Sequence, residues 1–178
     1  MPLLHARRHR RHIRVGAVSL AVVAALAAIL ATSPGLLLNR SPSEPPGLYI
    51  RTGATTRPGQ IIAFRTPAAA FPYADHSMAY LHHRPLLKAV AAGPGDQVCT
   101  LTGTLVINGR PIAPVARVDR QGRALPRWRD CRRMGPSELF VFSDRVPNSF
   151  DSRYYGPVQR ADVLGSYQLL ASFASDTL

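Results

Sequence analysis

The sequence predicts an all-β domain behind a single apolar N-terminal segment. Three observations predict it. Beyond residue 39 the apolar residues fall in runs of four to eight, each closed by Pro, Gly or a polar turn. The chain carries 16 Pro and 13 Gly among its 178 residues, which punctuate it too often for long helices. Val15 to Thr32, by contrast, is an unbroken 18-residue run of Ala, Val, Leu, Ile, Gly, Ser and Thr. The length suits one domain, and a hydrophobic fraction of 46% excludes wholesale disorder. Two cysteines exclude a disulfide-dense scaffold and a four-cysteine zinc site.

The N-terminal element comes first. Arg7, Arg8, Arg10, Arg11 and Arg14 make residues 1–14 strongly basic, and no charged residue occurs from Val15 to Leu38. Eighteen helical residues span ~27 Å, about a bilayer core. Pro34 and Gly35 break the helix at its far end. A transmembrane anchor over 15–35 is therefore expected, because the run is longer than a usual signal-peptide core. A cleavable secretory signal is the other reading. In both, the arginines hold the N-terminus in the cytoplasm of a bacterial cell, and residues 39–178 lie on the periplasmic side of the inner membrane. Cys99 and Cys131 then face an oxidising compartment, and one disulfide between them is expected.

The exported part reads as strands at Gly47 to Ile50, Gln60 to Phe64, Leu86 to Ala92, Gln97 to Leu101, Thr104 to Ile107, Glu138 to Phe142 and Val163 to Leu170. Asn108-Gly109 between Thr104–Ile107 and Arg110–Ile112 predicts a hairpin. A short helix fits Tyr80 to His83. Residues 115–135 read as an Arg-rich insert stapled by the Cys99–Cys131 bridge. RWRDCRR (127–133) reads as a solvated basic face, with no nucleic-acid partner.

The chemistry narrows by elimination. There is no G-x-S-x-G elbow and no H-E-x-x-H. His5, His9 and His12 fall on the cytoplasmic side. His76, His82 and His83 share one loop-like region without a serine motif. Of 22 basic residues, 21 are Arg, and Lys88 is the sole lysine. Arginine cannot be deprotonated in a protein, whereas a buried lysine can. Lys88 sits among Leu86, Leu87, Ala89, Val90, Ala91 and Ala92, where desolvation lowers an amine's pKa. Pro85 occupies the position three before it, so Ser-x-x-Lys is absent. A separated Ser/Lys pair remains.

Three boxes in order supply the serine. They are Ser43-Glu44-Pro45-Pro46-Gly47-Leu48-Tyr49, Lys88 with the turn Gly93-Pro94-Gly95-Asp96, and Asn148 to Gly156. Together they resemble the signal peptidase I clan of Ser/Lys proteases, and most closely its conjugative-transfer branch of TraF-type pilin-processing peptidases. The resemblance implies a signal-peptidase-like antiparallel β catalytic domain. It implies Ser43 as nucleophile and Lys88 as general base. Ser41 takes the place of a hydroxyl that completes the oxyanion hole, and Ser149 that of the serine orienting the lysine amine. Asp144, Asp151 and Arg153 match residues that buttress the site, and Gly95 and Asp96 match turn and packing positions. Three positions depart from the pattern. Ala89 stands where an arginine is common, Ser143 where a glycine leads the last box, and Pro46 where a basic residue is frequent.

The implied activity is a membrane-anchored serine endopeptidase that cleaves an exported precursor, a conjugative pilin, with no metal or organic cofactor. In some family members the pilin's own amine resolves the acyl-enzyme and closes a ring. The alternatives are a general type I signal peptidase and a non-catalytic membrane-tethered assembly protein.

Overall fold

The structure is a computed structural model and describes residues 35–173. The basic residues 1–14 and the apolar run from Val15 to Pro34 lie outside the described residues. No helix among the described residues is long and apolar enough to cross a membrane.

The described chain is all-β. In order, the strands are β1 (Leu36–Asn39), β2 (Gly47–Thr52), β3 (Ile61–Phe64), β4 (Leu86–Ala92), β5 (Gln97–Cys99), β6 (Thr104–Ile107), β7 (Arg110–Pro114), β8 (Cys131–Arg133), β9 (Glu138–Val141), β10 (Val158–Gln159) and β11 (Val163–Ser172). They form two sheets. One has seven strands in the order β1-β2-β11-β3-β4-β9-β10, and the other has four in the order β7-β6-β5-β8. The pairings from β2 onward are antiparallel.

The expected strands all form. Leu86 to Ala92 forms over the residues expected, and Asn108-Gly109 turns between β6 and β7 with Asn108 at φ 48° and Gly109 at φ 79°. Gln97 to Leu101 stops early, because Gly103 N–H returns to the Thr100 carbonyl in a turn. A 3-10 helix covers Ala79–His82, and an unexpected one-turn helix covers Tyr73–Ser77. The large sheet begins at Leu36, before residue 39. Leu36 to Leu38 continue the apolar run in sequence, yet they form β1 on the edge beside β2.

Three apolar clusters hold these elements. Ile62, Phe64, Val90, Leu139, Val141, Tyr155 and Val158 pack on one face of the large sheet. Tyr49, Ala63, Leu87 and Tyr167 pack on the other. Ala92, Val98, Leu105, Met134 and Phe140 join the two sheets. Burial of this kind contributes about 25 cal/mol for each Å² of apolar surface removed from water.

Two local features fix strand geometry. A Cβ on Gly47 would collide with the Ala171 carbonyl oxygen, so only glycine lets β2 approach β11 there. Gly95, at φ +85°, turns β4 into β5. Its N–H donates to the Met134 carbonyl at 2.9 Å. Asp96 closes the same turn, accepting from Gly93 N–H at 2.8 Å and from Asn108 Nδ2 at 2.8 Å.

Cys99 and Cys131 are disulfide-bonded, at a registered pair of β5 and β8. Closing a loop of 32 residues is worth roughly 4 kcal/mol by the loss of freedom in the unfolded chain. Residues 115–130 run between β7 and β8 with a single bridge, Val118 to Ala124.

Candidate active site

The turn between β1 and β2 carries Ser43, and Asn39 organises it. The Asn39 Nδ2 donates to the carbonyls of Ser41, Glu44 and Pro45 at 3.0, 3.0 and 3.1 Å. Its Oδ1 accepts the Ser41 N–H at 3.0 Å. Tyr49, fully buried, donates its hydroxyl to the Pro45 carbonyl at 2.8 Å. The Tyr49 bond ties the start of β2 back to the serine turn. Ser43 is buried, and its N–H donates to the Ser41 Oγ at 3.3 Å.

Lys88 comes from the middle of β4. Side chains alternate along a strand, so Lys88 shares a face with Leu86 and Val90, and it pairs with Ile62 across β3. That face belongs to the apolar cluster, and Lys88 is 3% exposed. Its Nζ donates to the Ser149 Oγ at 2.9 Å. Burial pulls the amine down from 10.5 to about 8, against the charges of Asp151 and Glu44, which push it up; the Arg153 charge adds to the fall. A substantial neutral fraction near physiological pH lets such an amine accept a proton.

Three contacts bring the Ser43 turn to this strand. The Glu44 Oε1 accepts the Ala89 N–H at 2.8 Å. Phe142 N–H donates to the Ala89 carbonyl at 3.1 Å, which extends β9 along β4. The next residue, Ser143, donates its hydroxyl to the Ser43 carbonyl. The turn carrying Ser43, β4 at Ala89 and the segment after β9 therefore meet although they are far apart in sequence, while the hydrogen bond of the Lys88 amine goes to Ser149. Ser143, read as a departure from the family pattern, fastens the serine turn.

Ser149 is held from behind. Asp151 caps the short helix Ser152–Tyr155. It takes the Arg153 guanidinium in two bonds, at 2.8 and 2.9 Å. Arg153 also donates to the Ser149 carbonyl at 3.1 Å and to the Pro114 carbonyl at 2.8 Å. The guanidinium lies 4.8 Å from the Phe142 ring centre. Asp151 is wholly buried and Arg153 is 2% exposed. Ser152 adds another tie, accepting the Val141 N–H at 3.0 Å.

Of the expected site residues, Ser149 is the one hydrogen-bonded to the Lys88 amine, and Asp144 stands apart from these contacts. It is exposed at the head of this segment, and it reaches the site only as a charge near Glu44. Asn39, Glu44 and Ser152 were not read from the sequence. The available signal was Glu44, an acidic residue beside the serine in a chain with only 10 acids.

The fold and this buried constellation go with a known class of protein. The family model for signal peptidase, peptidase S26, matches residues 10–171, and the chain belongs to that family. Membership makes it a peptidase of the serine class. Among individual relatives, the chain is 33% identical over 169 residues to the conjugal transfer protein TraF of Agrobacterium tumefaciens (strain 15955), covering 88% of this chain and 93% of the relative. It is 29% identical over 168 residues to the plasmid transfer protein TraF of Escherichia coli, covering 89% and 93%. A solved signal peptidase I from Enterococcus faecalis V583 aligns at 22% identity with a TM-score of 0.40, over 65% of this chain and 98% of that one.

Proposed function

We propose that the chain is a membrane-anchored serine endopeptidase that cleaves an exported precursor with Ser43 and Lys88. The single observation that carries this is the buried Lys88 amine, lowered to about 8 and hydrogen-bonded to Ser149. Neutral Lys88 takes the Ser43 hydroxyl proton as Oγ attacks the scissile carbonyl. The resulting ammonium gives that proton to the leaving amine, and an acyl-enzyme remains. Water, or the precursor's own amine, then releases the product. Ser149 orients Lys88, and Asp151 and Arg153 hold Ser149. The relatives are named for plasmid and conjugal transfer, which supports a role in conjugation, and the precursor we propose for it is a conjugative pilin. The apolar run at 15–35 is read as the anchor, with the cytoplasm on its basic side and the catalytic domain in the periplasm at the inner-membrane surface.

Ser43 N–H and the Ser41 hydroxyl form the oxyanion hole in this reading. The Ser43 N–H now donates to the Ser41 Oγ at 3.3 Å, so it must turn from that oxygen to the incoming one, while the Ser41 hydroxyl keeps its own proton to donate. Ser41→Ala is expected to lower kcat by about 10²-fold with little change in KM, as for loss of one oxyanion donor. Steady-state cleavage measurements check it.

Substrate class is tested by co-expressing the full chain with the pilin precursor of its own transfer system and weighing the product. A cleaved pilin supports the proposal, and a mass one water below the linear mature form shows ring closure. Processing of generic secreted preproteins with the pilin untouched would make this a general signal peptidase. Processing of neither would leave a non-catalytic assembly protein.

A further inference from the structure

Glu44 is a buried carboxylate to which the reaction above gives no part. It follows Ser43 directly and is 6% exposed. Its Oε1 accepts the N–H of Ala89, the residue after Lys88. On that edge of β4 the Ala89 carbonyl is taken by Phe142 N–H, beyond the end of β9 at Val141. The Glu44 carboxylate thus stands where a further strand carbonyl would continue the ladder. One side chain ties the turn bearing the serine to the strand bearing the lysine.

A glutamine would satisfy the same N–H without burying a charge, and burying a charge is costly. The charge itself therefore needs a reason. Burial pushes the Glu44 carboxyl above 4.5, opposed by the Ala89 N–H bond and by the charges of Lys88 and Arg145; the Asp144 charge adds to the rise. Around the amine, Asp151 and Glu44 favour the ammonium, and Arg153 disfavours it.

We propose that Glu44 is a positioning residue with two parts: it clamps the Ser43 turn onto β4, and its negative charge stabilises the ammonium that Lys88 becomes on taking the serine proton. This rests on the Ser43/Lys88 reading. The clamp fixes the approach of hydroxyl and amine. The charge makes Lys88 a stronger base at the moment of transfer than burial alone allows.

The sole lysine makes the test direct. Full-length protein grown on lysine labelled with ¹³C at Cε gives one lysine resonance, that of Lys88. It should titrate near pH 8 in the wild type. In Glu44→Gln, which keeps an acceptor for Ala89, the midpoint should fall by ~0.5 pH unit or more. The rising limb of kcat/KM, measured on a quenched fluorescent peptide spanning the mapped cleavage site, should move with it. Glu44→Ala loses the acceptor as well, and its plateau kcat should lie about tenfold or more below that of Glu44→Gln. A Glu44→Gln titration and rate limb coincident with wild type would overturn the electrostatic part. Equal plateau rates for the two variants would overturn the clamp. Ser43→Ala, run alongside, separates this from the parent reading: if it still cleaves, the nucleophile assignment falls, whereas an inert Ser43→Ala with an unmoved Glu44→Gln resonance defeats the Glu44 proposal alone.

Discussion

Replacing Lys88 with arginine or methionine, or Ser43 with alanine, should each lower cleavage by at least ~10⁴-fold, because groups that act as one unit fail together. Arginine keeps the positive charge and most of the length but never becomes neutral. Its inactivity separates base chemistry from mere charge. Methionine guards against misfolding, since it fills the site without a buried cation. Wild-type kcat/KM should rise about tenfold per pH unit up to pH 8 and level off above it, as Lys88 loses its proton. The stability consequence has a definite sign. Lys88 is held below its ordinary 10.5 in the fold, so between about 8 and 10.5 the unfolded chain binds the extra proton. Wild-type stability therefore rises with pH across that window. Burial of the amine costs about 3 kcal/mol below it and nothing above it. Chemical denaturation of Lys88→Met beside wild type checks this: the variant's relative advantage should shrink as pH rises from 8 to 10.5.

The second large effect is expected at Arg153. Arg153→Ala leaves the wholly buried Asp151 carboxylate without its partner, and removing one member of such a pair costs 3–5 kcal/mol. It also frees the carbonyls of Ser149 and Pro114, which the guanidinium now holds. Urea unfolding should show the lost stability, and residual activity below the transition should show a lower kcat. Asp151→Asn should behave similarly by stranding the guanidinium. The double variant Asp151→Asn with Arg153→Met should recover part of the stability without recovering kcat, because an apolar replacement relieves the stranded charge but does not position Ser149.

Much of this was readable in the sequence where local pattern and burial agree. Leu86 to Ala92 is apolar apart from Lys88 and forms β4 as read. Asn108-Gly109 suits a turn that needs positive φ at both positions. Cys99 and Cys131 formed the single available pair. The misses are elements whose conformation is imposed by neighbours. Cys131–Arg133 is too charged to look like a strand, yet the open edge of β5 recruits it. Val158–Gln159 is two residues long and exists because β9 offers a partner. Within the proposed site, the sole lysine stands out by residue type, whereas Ser43 is picked out among the serines by the resemblance that the three boxes carry. Asn39 was not, since its value lies in reaching three carbonyls at once, a property of the folded turn.

The sheet order has a consequence in time. β2, which leads away from the serine turn, meets β3 and β4 only through β11, the last in chain order of the described strands. On the proposed reading, a chain made only as far as residue 160 already holds Ser43 and Lys88, yet the sheet that joins their halves still lacks its middle. Proteolytic competence should then wait until β11 has been made, so that a half-built molecule is a poor threat to other polypeptides around it.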